Sequence, residues 1–456
     1  MFRDRRLLSG IPLNQSPNPP GPQAQHHAIL VTGATGYIAS RLIPRLLRKG
    51  YQIRCLARQP ERLRARAWYP QVEVIAGDVT QPETLPAAMQ EVHAAYYLIH
   101  NMAAGHGYDR LDLESARNFA QAAKRAGVQH IIYVGGLADP ADPKLALHLK
   151  SRIECGAALA EAGVPVTEFR AGVIVGPGSV SFEMIRFIAE QFPLMIGPTW
   201  LQHRSQPIAT PDILAYLVAA LETPECRGKV IELGCETART YIEIMSEYAQ
   251  IRGLKRFPLL LPLIPPALMA FVIDKLTPVQ YSYALPLVEG LQNDSLVRER
   301  TPLQLFPTIK PLDYADAVRR ALADTHPENA ERIWLGTNHN RTRMLHEGMF
   351  IDYQRVPTTQ KSLSAPTPGP RFGIRFTQPE YQTETLMRFK SEPSPWGTCW
   401  LEWELCSQNA QTYLAQTLFF IPDGLPGALF GYLGLPLLAK KLSEDKPRPE
   451  HQNKTI

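Results

Sequence analysis

Apolar positions fall into two regimes along the chain, and the change between them lies near residue 324. In the first regime, short unalternating apolar runs are spaced by helical patterns. Ala28-Ile29-Leu30-Val31 is such a run, rich in branched residues and free of polar interruption, which predicts a strand buried on both faces. Further strands are predicted at Gln52–Arg58, Val72–Val79, Ala94–His100, Ile131–Val134 and Val166–Arg170. Helical periodicity runs from Leu42 to Leu47, Leu113 to Ala126 and Leu145 to Ala162. Strands alternating with helices imply a doubly wound parallel sheet, with ligand bound across the carboxyl ends of the strands. Ser179–Phe192, a stretch from Pro207 through Leu221, and Thr240–Gly253 read as helices. Lys229–Gly234 reads as a strand, and Phe257–Pro266 is apolar and proline-rich.

In the second regime the segments alternate or are rich in β-branched and aromatic residues. They are Met344–Val356, Arg371–Thr377, Thr385–Ser391, Thr398–Cys406 and Thr412–Ile421, with a Pro-Thr loop at 357–370. One apolar helix, Leu425–Leu442, closes the pattern. The expected organisation is a tail over 1–26, a nucleotide-binding domain over 27–324 whose substrate portion begins near 179, an antiparallel α+β domain over 325–445, and a tail over 446–456.

The turn after the first strand carries the chemistry. Gly33-x-x-Gly36-x-x-Ala39 follows Thr32 and opens a helix. Gly33 permits a sharp turn, Gly36 leaves room for a pyrophosphate, and Ala39 lets helix and strand lie close. The helix N-terminus offers free N–H groups and partial positive charge to phosphates. Pro44 inside that helix predicts a bend near Ser40. About 20 residues past the turn an acid would hold the ribose hydroxyl of NAD; Arg58 stands there instead, with Arg62 behind it. A guanidinium suits a phosphate, so NADP is favoured and NAD is also admitted. Asp78 and Val79 end the third strand where an adenine would lie, although Asp78 also suits a helix cap.

Composition removes classes rather than adding them. A net charge of +5 without a basic, aromatic-interleaved stripe gives no argument for nucleic acid. The six cysteines show no C-x-x-C or zinc spacing, which fits a reducing, cytoplasmic setting and no metal site. No apolar run reaches the ~18 residues of a membrane span, and the nearest, Phe257–Ile273, is broken by four prolines; peripheral membrane contact stays open.

Thr32–Ala39, Gly77-Asp78-Val79, Tyr96–His100, Ala116–Ala120, Ile131–Leu137 and Ser151–Glu154 together resemble the atypical short-chain dehydrogenase/reductases. More narrowly, they resemble bacterial NAD(P)-binding proteins with a C-terminal domain of unknown function. The likeness runs from about His27 to Arg320. It implies a Rossmann-type fold and cofactor contacts at Gly33, Thr35, Gly36, Tyr37, Ile38, Arg58, Asp78, Val79, Leu98 and His100. It also implies a helix-grip-like C-terminal domain, short at its start between His326 and Arg343. Family members carry a Tyr four residues before a Lys, and a Ser after the fifth strand. Here those positions read His148, Arg152 and Gly135-Gly136. The spacing puts His148 and Arg152 on one helix face. His148 is the first choice as proton donor, with a pKa lowered by Arg152; His100 and water come next, and a merely packed His148 is the alternative. The expected function is an NADP(H)-dependent oxidoreductase for an apolar small molecule. The alternatives are a non-catalytic nucleotide-binding sensor or assembly module, and a lipid or isoprenoid binding protein.

Overall fold

The computed structural model describes residues 28–445 except 106, 278, 337–339 and 409–410. His27 and the two expected tails lie outside the described residues. The first regime folds as β1 (Ala28–Thr32), α1 (Tyr37–Arg48), β2 (Gln52–Ala57), β3 (Glu73–Ala76), α2 (Leu85–Met89), β4 (Val92–Tyr97), α3 (Tyr108–Arg125), β5 (His130–Gly136), α4 (Leu147–Ala160) and β6 (Val166–Ala171). It continues through α5 (Val180–Gln191), β7 (Leu194–Pro198), α6 (Thr210–Glu222), β8 (Val230–Leu233), α7 (Tyr241–Ile251), β9 (Phe257–Leu261), α8 (Pro266–Leu276), α9 (Tyr281–Gly290) and α10 (Tyr314–Asp324).

Seven parallel strands run in the order β8-β6-β5-β4-β1-β2-β3, a Rossmann-type sheet. The unalternating strands are explained by cover on both faces. Val31 packs with Leu42, Ile43, Leu46, Leu214 and Leu217 of α1 and α6. Leu30 packs on the other side with Phe119, Ala123 and Leu159 of α3 and α4. The order reverses between β1 and β4, which opens the crevice where such sheets bind ligands. Helix α1 is continuous through Pro44, so the expected bend at Ser40 does not interrupt it. Thr240 and Glu243 form a capping box that starts α7. Helices α8 and α9 were hidden in the proline-rich pattern; Pro266 sits in the first turn of α8, where a missing N–H costs nothing.

The C-terminal sheet is antiparallel, in the order β10-β11-β15-β14-β13-β12. Its strands are β10 (Arg341–His346), β11 (Met349–Pro357), β12 (Phe376–Gln382), β13 (Leu386–Ser391), β14 (Gly397–Gln408) and β15 (Gln411–Pro422). Two helices follow, α11 (Gly424–Leu433) and α12 (Leu435–Leu442). The pattern predicts one helix here; the chain breaks at Gly434, against which Phe430 packs too closely for a side chain, with Pro436 just beyond. Phe389, Trp403, Leu418, Leu438 and Leu442 fill the space between sheet and helices. Among the described residues no helix is long and apolar enough to cross a membrane.

Met344–Val356, predicted as one strand, is a hairpin. Glu347 (φ +50°) and Gly348 (φ +75°) turn the chain between β10 and β11. The tip enters the first domain. Glu347 is buried and pairs with Arg41 of α1, while Glu331 pairs with Arg66. A Cβ on Gly348 would fall 1.6 Å from Arg186, itself buried between Glu183 and Glu190. Gly348→Ala should therefore cost about 1–3 kcal/mol in urea unfolding, from left-handed strain and displacement of a packed guanidinium. An unchanged unfolding curve would show that the tip is loosely held.

Candidate active site

The cradle for a nucleotide is built where β1 meets β4. Gly33 has φ +64°, and a Cβ there would lie 2.5 Å from the carbonyl oxygen of Leu98. Thr32 Oγ1 donates to the Tyr96 carbonyl and accepts the Leu98 N–H, both at 3.0 Å. The Gly36 N–H donates to the Gly33 carbonyl at 2.7 Å, and α1 begins with no side-chain cap and no acid in its first turn. Its N–H groups and dipole are thus left for an anion. Thr35 is exposed beside this turn, and Ile38 is half-buried against the core. The Tyr37 hydroxyl bonds Thr210 Oγ1 at 2.7 Å, and burial pushes it up to about 12.

The other expected contacts follow the strand ends. Arg58 is exposed just past β2 and forms no ion pair among the described residues. Asp78 Oδ1 accepts the Thr80 N–H at 3.0 Å, a local turn that leaves its second oxygen available. Val79 is buried, and its carbonyl accepts from Asn118 at 3.1 Å. These residues lie along the carboxyl ends of β1 to β4 and fit a dinucleotide: an uncapped helix end for phosphates, a free guanidinium, and a carboxylate at the outer strand.

A cavity of about 300 Å³ continues from the crevice. Its polar end holds His100, Gly136, His148 and Arg152; its other walls come from α5, α7, α8 and α9 and are almost entirely aliphatic. His148 and Arg152 share the cavity, as their spacing requires, but not as an acid and its helper. His148 is buried against Gly290, where a Cβ would meet its ring at 2.1 Å, and its Nδ1 has no partner. Burial first, then His100 and Arg152, push its pKa down to about 3, so the ring is neutral at working pH. The Arg152 guanidinium donates to the Val134 carbonyl and lies 5.2 Å from the Tyr133 ring, whose hydroxyl donates to the Arg152 carbonyl at 2.9 Å. Gly136 supplies no hydroxyl.

His100 is differently placed. Its Nδ1 lies 2.7 Å from Asp112 Oδ2, and Asp112 Oδ1 accepts the Asn101 N–H at 2.8 Å. Burial raises the Asp112 pKa, but hydrogen bonds from His100 and Asn101 together bring it below the ordinary value, so it stays an anion. Burial and Arg152 lower His100, against the pull of Asp112. Neutral His100 therefore points Nδ1–H at Asp112, and among the described residues its Nε2 has no hydrogen-bond partner. Asp112 was not anticipated. Its signal was a lone carboxylate on the otherwise small and apolar buried face of α3, with Tyr108, Ala116, Phe119 and Ala123.

Residues 33–155 match a family model described as NAD(P)H-binding. The chain carries an NAD(P)H-binding Rossmann domain. By structure, it is similar to the Citrobacter triphenylmethane reductase complexed with NADP(H) (20% identity, TM-score 0.52, 64% of this chain and 99% of that one). It is likewise similar to an NADPH-dependent quinone oxidoreductase of Escherichia coli (22%, TM-score 0.52, the same coverage). By sequence, it is 28% identical to the ceramide reductase of Caulobacter vibrioides over 245 residues, 53% of this chain and 75% of that protein. It is 25% identical to the photosystem II assembly factor Ycf39 of Trieres chinensis over 232 residues, 50% of this chain and 69% of that protein. These alignments leave about half of this chain unmatched.

Gly36→Val should abolish NADPH binding, read by fluorescence titration, with an unchanged circular dichroism spectrum, because a side chain would occupy the phosphate approach. Normal binding would place the phosphates elsewhere. Acid should also find His148. Unfolded imidazole titrates near 6.5 and the folded one near 3, so the unfolded state takes up a proton first as pH falls. His148→Gln should lose stability less steeply between pH 6 and 4 than the parent, by about 1 kcal/mol per pH unit. Parallel stability curves would mean that the ring is solvated.

Proposed function

We propose that the chain is an NADP(H)-dependent oxidoreductase acting on an apolar small molecule, with His100 and Asp112 handling the proton. The observation that carries this reading is the aliphatic cavity joined at its polar end to the His100–Asp112 pair, beside the nucleotide crevice. The nicotinamide supplies or accepts a hydride when bound. The chain's own residues do the rest. Gly33, Gly36 and the start of α1 bind the pyrophosphate, Arg58 holds the 2′-phosphate, and Asp78 and Val79 border the adenine. Aliphatic walls exclude water and favour a greasy substrate. Asp112 fixes the His100 tautomer so that Nε2 takes a proton from a substrate hydroxyl in oxidation and returns it in reduction. Arg152 adds positive charge beside a developing oxyanion. His148, neutral and packed, is a wall of the site. The relatives' printed activities, reduction of a ceramide and of a quinone, are of the same class.

A second reading keeps one specific support. Gly136, His148 and Arg152 together replace the hydroxyls and amine that the family pattern uses, and one relative is named an assembly factor. This reading is a nucleotide-binding module without turnover. Lipid carriage by the C-terminal sheet has less support, since large side chains fill that sheet's inner face.

Arg58→Ala should weaken NADPH by on the order of 1.5–3 kcal/mol and leave NADH nearly unchanged; equal losses for both cofactors would remove Arg58 from the phosphate. With a panel of quinones, enones and long-chain ketones, kcat/KM for reduction should fall as pH rises through a value below 6.5, and oxidation should rise through it. His100→Asn should lower turnover about 10²–10⁴-fold with NADPH affinity intact. Full activity in that variant would remove His100 from the chemistry, and no turnover across the panel would favour the non-catalytic module.

A further inference from the structure

The roof of the cavity is apolar on both of its faces. Strands β7 and β9 pair in parallel, Leu194 beside Phe257 and Ile196 beside Leu259. Alternate residues of a strand share a face, so Leu194, Ile196, Phe257, Leu259 and Leu261 form one surface, and each is exposed. The inner face of the pair meets Leu201, which lies against Gly197 and lines the cavity. Helix α8 repeats the arrangement. Met269 and Ile273 line the cavity, while Leu268, Phe271 and Val272 face outward. Between strand and helix, Leu263 stands 96% exposed at φ +63°, a branched side chain held outward on an unfavourable backbone. Nothing in the described fold covers this surface, and single elements separate it from the cavity.

We propose that this surface docks on an anionic lipid bilayer and that the apolar substrate enters the cavity from the bilayer; the second half rests on the oxidoreductase reading above. Charge supports this occupant. Phe257 to Ile273 contains no charged residue, and it is bracketed by exposed Lys255 and by Lys275, an arrangement that puts ammonium groups at headgroup depth when the apolar stretch is immersed. The nearby carboxylate, Asp274, is held by Lys275 at 2.8 Å and by the Tyr281 N–H at 2.8 Å. A second apolar face adjoins. Leu425, Leu429, Leu433 and Leu437, four residues apart on α11 and α12, are exposed and are followed by Lys440 and Lys441. Helix α11 starts at the end of α5, from which β7 also departs: Gly424 lies against the Glu190 carbonyl, and the Arg256 guanidinium donates to the same carbonyl at 2.7 Å. Exposed apolar residues grouped on a strand pair and on a helix face mark an interaction site.

Flotation of the full chain with phosphatidylcholine vesicles, with and without phosphatidylglycerol, tests the proposal. The chain should float with the anionic vesicles, and less so at high salt. Leu263→Ser with Phe271→Ser should reduce the bound fraction on the order of tenfold or more, with NADPH affinity and circular dichroism unchanged. A chain that stays unbound overturns the proposal, as does flotation indifferent to the two substitutions. Light scattering that shows a dimer broken by the same substitutions, without flotation, would assign the surface to a second copy. Turnover of a detergent-dispersed substrate separates the two readings. A chain that turns over but does not float loses only the bilayer surface, and one that floats without turnover loses the oxidoreductase.

Discussion

The close contact between Gly33 and the backbone of Leu98 sets the geometry of the whole first domain. Only a residue without Cβ fits a left-handed turn 2.5 Å from a carbonyl oxygen. That contact lets Thr32 bridge Tyr96 and Leu98 through one hydroxyl. It brings the ends of β1 and β4 together and aims the uncapped start of α1 across the crevice. The chain beyond Leu98 then delivers His100 to the polar end of the cavity. The glycine turn and the His100–Asp112 pair thus hang on one packing constraint.

The electrostatics of the cavity follow from burial. A low-dielectric site disfavours charge unless it is paired. Asp112 meets that condition through His100, the Asn101 N–H and the Ser151 hydroxyl and remains an anion; His148 has no partner on Nδ1 and does not charge. The histidine in the family's tyrosine position is therefore the less suited of the two to carry a proton. Its neighbour across the cavity, tied to a carboxylate, is the better placed of the two. Similar logic operates between the sheets, where buried Glu347 is met by Arg41 and by the Glu331 N–H.

Much of the Rossmann half was legible because its signals are local. Buried parallel strands read as unbroken apolar runs, and the glycine turn sits between a strand and a helix. Local signals failed where partners were distant. Met344–Val356 carries apolar and aromatic residues on both sides of Glu347-Gly348 and so reads as one strand; the insertion of that tip beside α1 has no local signal. Helices α8 and α9 were masked by prolines that turn out to sit at helix starts and inside α9. Asp112 carries no local mark that sets it apart from other acids on α3, and only the fold shows that it faces His100. Arg58 follows the end of β2 and Asp78 lies two residues past β3, but their roles depend on a ligand.

Where the nicotinamide lies decides whether His100 can reach the reacting atoms. A crystal structure of the full chain with NADP⁺ tests it directly. The central claim predicts the pyrophosphate over Gly33 and Gly36, the 2′-phosphate on Arg58, and nicotinamide C4 at the mouth of the aliphatic cavity on the side of His100 Nε2. A nicotinamide directed away from the cavity, or one whose C4 has no His100 within reach of a bound substrate atom, would contradict it.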